Sequence, residues 1–93
     1  RKAYDMKRAV DEAQRRVDTL QGERSTIMGD QGRIRQNMGG VDRTGDLYRR
    51  YVEKLTSQEN RLEEIERESE KARAELDQKR NEFDRYIAGL SVE

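Results

Sequence analysis

Four glutamates are the residues of this sequence that come closest to a catalytic or metal-binding pattern. They recur at helical spacing, at Glu59, Glu63, Glu66 and Glu70. A pair of carboxyl groups can work as a general acid and base when a pocket desolvates one of them, and hard cations prefer oxygen ligands that converge from a loop or from several helices. A single row on one helix offers neither arrangement. We therefore interpret the row as a solvated helix face, which is common on highly charged helices.

Other kinds of chemistry need residue types or spacings that this sequence lacks. Cys is absent, which excludes a disulfide framework, a thiol nucleophile and a thiolate metal site, and His is absent as well. The glycines have neither the spacing nor the strand context of a phosphate-binding or dinucleotide-binding loop. We expect no catalytic residues, no cofactor and no metal, and so no enzyme activity in these residues.

A cluster of arginines surrounds the glycine-rich middle of the chain. Arginine binds phosphates through its planar fork, and a nearby tyrosine can stack on a base. Tyr48 and Tyr51 lie among these arginines, but both also belong to an apolar repeat, and Asp46 can neutralise neighbouring charge. We prefer the interpretation in which the tyrosines fill a core. The alternative is an anion-binding tip for nucleic acid or an anionic membrane, formed by Arg33, Arg35, Arg43, Arg49 and Arg50.

The composition limits the fold that could position any of these groups. Of the 93 residues, 31% are hydrophobic and 43% are charged, and 20 Lys and Arg balance 20 Asp and Glu. A globular domain is close to half apolar, so this chain has too few apolar residues for an ordinary core. Abundant charge without net charge, together with the absence of Pro, favours long helices over disorder.

Apolar residues follow a seven-residue repeat in two stretches of the chain. A sustained repeat of this kind is typical of a coiled coil, and the alternation expected of a strand does not persist. Polar residues interrupt the repeat at Arg24, Gln31, Gln58, Ser69 and Lys79. The predicted coiled-coil seam consists of Met6, Val10, Ala13, Val17, Leu20, Ile27, Ile34, Met38, Tyr48, Tyr51, Leu55, Leu62, Ile65, Ala72, Leu76 and Phe83.

The segment between the two repeats is the predicted helix break, because three glycines and two aspartates cluster there. Gly39 or Gly40 can adopt the left-handed conformation that ends a helix. Thr44 or Asp46 can then cap the next helix by accepting a hydrogen bond from its free amides. A short connection makes two long helices antiparallel neighbours. We predict one domain with helix 1 at residues 1–39, a glycine-rich turn at 40–46 and helix 2 at 47–93.

The distribution of charge supports the antiparallel pairing. The first predicted helix carries nine Lys and Arg against six Asp and Glu, a balance of +3, whereas residues 53–93 carry eight against twelve, a balance of −4. Complementary flanking charges set partner and orientation in coiled coils. The antiparallel register places Val10 opposite Leu76 and Ala13 opposite Ala72, so that side chains of similar size face each other.

Three stretches of the sequence are specific enough to suggest a family: Asp30–Met38, Asp46–Leu55 with Gln58 and Glu59 after it, and Tyr86–Leu90. Together they resemble the carboxy-terminal helical hairpin of the mucoidy-inhibitor-A-like bacterial proteins, whose biochemical activity is unknown. The resemblance covers about half of the chain. It implies a β-rich domain upstream from which the hairpin projects, and a location in the cell envelope or outside the cell. It implies no catalytic residues.

The sequence as a whole predicts an all-α protein, in which two long antiparallel helices form a coiled-coil hairpin that pairs into a four-helix assembly. Pairing is expected because small domains with little buried surface commonly oligomerise. The chain begins at Arg1 without an initiator Met, so we expect a fragment of a longer polypeptide. The family resemblance implies that this polypeptide is bacterial. We predict a non-enzymatic spacer and oligomerisation or protein-interaction element. Its expected partner is a second copy or another helical protein, and neither nucleic acid nor a membrane.

Overall fold

The computed structural model describes residues 1–91 and consists of two α-helices joined by a turn. Helix α1 spans Lys2–Met38 and helix α2 spans Asp46–Ser91. The two helices pack together as a helical hairpin, which confirms the all-α prediction. Residues 92 and 93, the end of the predicted second helix, lie outside the described residues. Within residues 1–91, neither helix combines the length and the apolar character that crossing a membrane requires.

The hairpin divides into two compact units. We call the first the split unit, because it combines residues 1–21 with the part of the chain from residue 68 onward. We call the second the turn unit, because residues 22–67 form it continuously and include the turn. Each unit therefore contains one segment of α1 and one segment of α2.

The split unit has a small apolar core. Val10, Ala13 and Leu76 form a buried cluster, and Val17 and Phe83 pack against it. Both Val10 and Leu76, which the antiparallel register places opposite each other, thus lie in one cluster. The buried positions that continue along this part of α2 carry small side chains, Ser69 and Ala72.

The core of the turn unit is centred on two isoleucines. The side chains of Ile34 and Ile65 have no exposed surface, and they are the largest fully buried side chains of the described residues. Gln31, one turn before Ile34 on α1, is only 4% exposed. The turn unit therefore buries a polar amide in the same seam as its largest apolar side chains.

Helix α1 ends without a left-handed residue. The N–H of Gly39 donates to the carbonyl of Gln36 at 3.2 Å, and the N–H of Gly40 donates to the carbonyl of Asn37 at 3.1 Å. Such i→i+3 bonds tighten the last turn and satisfy end carbonyls in a right-handed conformation. No glycine among the described residues has a positive φ. The prediction of a left-handed cap at Gly39 or Gly40 is therefore wrong.

Asp42 stabilises the turn that precedes α2. Its carboxylate accepts hydrogen bonds from the backbone N–H of Thr44 at 2.9 Å and from the Thr44 hydroxyl at 2.8 Å. These bonds hold the pKa of Asp42 below its ordinary value, the backbone bond having the larger effect. The carbonyl of Gly45 accepts from the N–H of Arg49 at 3.3 Å. Asp42 is thus the side-chain acceptor of this turn, in place of Thr44 or Asp46 as the sequence suggested, because an aspartate readily bonds the backbone two residues on.

Candidate interaction surfaces

The predicted seam residues divide into a buried set and a half-buried set. Two helices cover a seam on two sides only, so many of its side chains keep partial access to solvent. The buried set is Val10, Ala13, Leu20, Ile34, Ile65, Ala72 and Leu76. The half-buried set is Met6, Val17, Ile27, Met38, Tyr48, Tyr51, Leu55, Leu62 and Phe83.

A polar layer crosses the seam of the turn unit, and we define it by Asp30, Gln31, Gln58 and Glu59. The Nε2 atom of Gln31 donates to Glu59 Oε1 at 2.8 Å. The Nε2 atom of Gln58 donates to Asp30 Oδ2 at 2.6 Å, while Gln58 Oε1 is buried and has no hydrogen-bond partner among the described residues. A buried polar atom left unsatisfied costs about 1–3 kcal/mol. The layer therefore lowers stability locally, and a polar pair in a seam is a known means of fixing register.

Asp30 is the charged centre of the polar layer. Its carboxylate lies 2.9 Å from the Arg33 guanidinium on the same helix and 3.3 Å from Lys54 Nζ on the other. The hydrogen bonds from Arg33, and next those from Gln58, hold the pKa of Asp30 below its ordinary value. The sequence pattern identified both glutamines as interruptions of the seam. It missed Asp30 and Glu59 as their partners, because both lie beside the repeat positions.

A second link between α1 and α2 in the turn unit is the pair Glu23 and Arg61. Arg61 Nε donates to Glu23 Oε2 at 2.6 Å, and a terminal guanidinium nitrogen donates to Glu23 Oε1 at 2.7 Å. This bidentate geometry is the strong form of the arginine–carboxylate pair. The hydrogen bonds lower the pKa of Glu23. Arg61 also lies 3.1 Å from Glu64 on its own helix.

The acidic row lies on the outside of α2. Glu59, Glu63, Glu66 and Glu70 are all exposed. Within residues 1–91, no group of three or more Asp, Glu, His or Cys side chains is arranged to hold a metal ion. An exposed row of this kind provides no desolvated carboxyl group for acid catalysis.

The five arginines of the predicted anion-binding tip do not form one free cluster. Arg33 lies 2.9 Å from Asp30, and Arg49 lies 3.7 Å from Asp46. The other three arginines are exposed, and their side chains form no hydrogen bond or ion pair with any described residue: Arg35, Arg43 and Arg50. Neighbouring acids therefore leave only part of the predicted basic charge available to a ligand.

Two clefts differ in the charge of their rims. The tip cleft, about 480 Å³, is bounded by Arg35 and Arg43 and by the apolar side chains Met38, Val41, Tyr48 and Leu55. The split-unit cleft, about 220 Å³, is lined by Lys2, Asp5, Met6, Ala9, Lys79 and Glu82. Two lysines and two carboxylates therefore balance the charge of its rim. The charged side chains of the tip cleft, by contrast, are Arg35 and Arg43, both cationic.

Comparisons with known proteins do not indicate which of these surfaces is functional. No protein-family model, curated protein or solved structure matches the chain. The assignment of function therefore rests on the packing and charge of the described residues.

Proposed function

We propose that this chain is a non-enzymatic helical hairpin that acts as a coiled-coil spacer and association element of a larger bacterial protein. Its partner is a second copy of itself or another helical protein. The observation that carries the proposal is the imbalance between buried and exposed apolar side chains. The large apolar side chains that remain exposed are Tyr4, Met28, Leu47, Val52, Ile87 and Leu90.

The accessible surface supports the same proposal. The chain exposes 7133 Å², whereas a folded monomer of its mass exposes about 5,600 Å². The excess is larger than the roughly 800 Å² that each partner buries in a standard protein interface. Covering such surface supplies stabilisation that a thin two-helix seam lacks.

The charges of the two helices favour a helical partner of defined orientation. Helix α1 lies in the basic part of the chain, and most of α2 lies in the acidic part. In a four-helix assembly, the basic helix of one copy can lie against the acidic helix of another. Complementary flanking charges select partner and orientation in this way.

A further support is the resemblance of the residues around the turn to the mucoidy-inhibitor-A-like hairpin. Membership of that family is part of the proposal, and it gives the hairpin the role of an element that projects from an upstream domain. Spacing and association are functions that need length and a lateral surface rather than a catalytic pocket.

Sedimentation velocity and circular dichroism of the chain at micromolar concentration test the proposal. We expect a homodimer whose helicity falls on dilution, because association and folding are then coupled. Ile87→Ser combined with Leu90→Ser should weaken the dimer about tenfold through lost apolar burial. Ala88→Ser, at an exposed position between them, is the matched control and should leave it unchanged. A stably helical monomer at micromolar concentration would contradict self-association.

A further inference from the structure

We propose that the tip cleft is a docking site for an acidic amphipathic helix of a partner protein. This inference rests on the protein-interaction part of the proposed function and deepens it by naming the site and the chemistry of the partner. Self-association is measured separately, so the two can fail independently.

The floor of the tip cleft is an apolar strip that the hairpin leaves partly uncovered. Met38, Val41, Tyr48 and Leu55 are each half-buried. Val52, which is 42% exposed, follows Tyr48 by four residues and precedes Leu55 by three. Side chains at these spacings share one face of a helix. The apolar strip thus runs along α2 from Tyr48 to Leu55, about 10 Å, which suits an elongated apolar ligand rather than a single small group.

The rim of the tip cleft selects the charge of that ligand. Arg35 and Arg43 form no hydrogen bond or ion pair with any described residue. In the split-unit cleft, by contrast, Lys79 and Glu82 contribute opposite charges to one rim. An unpaired guanidinium beside an apolar floor gains most from a carboxylate, with which it forms a paired, charge-assisted hydrogen bond. A ligand with carboxylates beside an apolar stripe satisfies both parts of the cleft.

The spacing of these features fits a helix better than a phosphate polymer. An amphipathic helix carries its apolar anchors along one face, and this face can pack lengthwise on the strip formed by Tyr48, Val52 and Leu55. Nucleic acids and anionic membranes instead reward a dense set of free cations. Two of the five arginines near the turn, Arg33 and Arg49, already face Asp30 and Asp46.

The test uses the full chain and a fluorescently labelled helical peptide with leucines on one face and glutamates beside them. Fluorescence anisotropy should show saturable binding, and a peptide with lysines in place of the glutamates should not bind. Arg35→Gln combined with Arg43→Gln should weaken binding by about tenfold or more. The matched double variant is Arg24→Gln with Arg50→Gln, since both arginines are exposed and unpaired outside the cleft lining. It should change binding by less than about twofold.

The exposed edge of the apolar strip is tested by Val52→Ser, which should weaken peptide binding several-fold. Val52 is exposed, so circular dichroism should show an intact hairpin. Three results would overturn the proposal. The first is no saturable binding of the acidic peptide, and the second is equal loss in both double arginine variants, which would indicate general electrostatic attraction. The third is tighter binding to single-stranded DNA or to anionic vesicles than to the peptide, which would assign the arginines to phosphate groups.

Discussion

Within each unit of the hairpin, a different mixture of contacts joins α1 to α2. In the split unit, Val10 and Leu76 lie in one apolar cluster, and Ser69 is buried nearby along α2. The polar links between α1 and α2 in this unit, Arg16 to Glu68 and Arg80 to Gln14, lie at the exposed surface. In the turn unit, two fully buried isoleucines share the seam with the polar layer, and ion pairs link α1 to α2 through Glu23 and Asp30. Apolar contacts supply stability without much directional preference, whereas buried polar pairs tolerate one register only. We infer from this difference that the turn unit sets the register of α1 against α2, while apolar side chains are buried in both units.

The largest expected effect comes from the isoleucines of the turn unit. Ile34→Ala should lower the free energy of unfolding by about 2–5 kcal/mol, because it removes buried methyl groups and leaves a cavity. Met28→Ala is the matched control on the same helix, since Met28 is 48% exposed, and should cost less than about 0.5 kcal/mol. Urea unfolding followed by circular dichroism measures both. Similar losses in the two variants would show that Ile34 is not part of a tightly packed core.

In the split unit, the small buried side chains predict sensitivity to added volume. Ala72→Leu should destabilise the hairpin by about 1–3 kcal/mol, because Ala72 is 2% exposed and a larger side chain must displace its neighbours. Ala74, two residues further along α2, is exposed. The control Ala74→Leu should therefore be close to neutral in thermal unfolding. A stabilising effect of Ala72→Leu would mean that this part of the seam has unfilled space.

The polar layer is tested by replacing both of its glutamines. Gln31→Leu with Gln58→Leu should raise the free energy of unfolding by about 1 kcal/mol, because the unsatisfied Gln58 oxygen disappears and apolar surface is buried. The pairing of α1 with α2 should at the same time become less restricted to a single register. The chain has no Cys, so spin labels at Thr26→Cys and Glu63→Cys report the distance between the helices without interference. A distance distribution as narrow as that of the unsubstituted seam would show that the two glutamines do not fix the register.

A smaller stabilisation is expected on the outside of α1. Gly29 has open space around it, since an added Cβ would have no atom within 4 Å apart from its chain neighbours and the backbone of its own helix. Gly29→Ala should therefore stabilise the hairpin by about 0.5–1 kcal/mol through lower entropy of the unfolded chain. Gly89→Ala is the counterpart in the split unit, where the space is also open. If Gly29→Ala weakened self-association in sedimentation while Gly89→Ala did not, Gly29 would lie at a close approach between copies.

The seven-residue repeat was sufficient to predict two helices and their hairpin, because burial of an apolar stripe dominates helix pairing. The conformation of the turn was not predictable from glycine content. A left-handed glycine and a series of i→i+3 bonds are both compatible with Gly39 and Gly40, and their difference in free energy depends on the following residues. Similarly, arginine spacing located the basic tip, but only the fold shows that Arg33 is engaged by Asp30. Contacts of this kind depend on helix rotation and register, which a periodic pattern leaves undetermined.

The smallest predicted effect is the acid response of the turn unit. A hydrogen bond from Arg33 lowers the pKa of Asp30 in the folded state, and one from Arg61 lowers that of Glu23. In the unfolded state the two pKa values are about 3.9 and 4.3. The stabilisation from these carboxylates is therefore complete above the unfolded values and is lost as the pH falls through the folded ones. The Asp30→Asn variant lacks the stabilisation from the Asp30 carboxylate at every pH. The free energy of unfolding of this variant should therefore fall less than that of the wild type between pH 5 and pH 2.

The control for this experiment is Asp84→Asn in the split unit, since Asp84 is exposed and forms no hydrogen bond or ion pair with any described residue. Its unfolding curve should follow the wild type across the same pH range, measured by urea titration at each pH. If Asp30→Asn and Asp84→Asn both ran parallel to the wild type, the contacts of Asp30 would contribute nothing through its charge. The register of the turn unit would then rest on the two glutamines of the polar layer and on the Glu23–Arg61 pair, which also link α1 to α2.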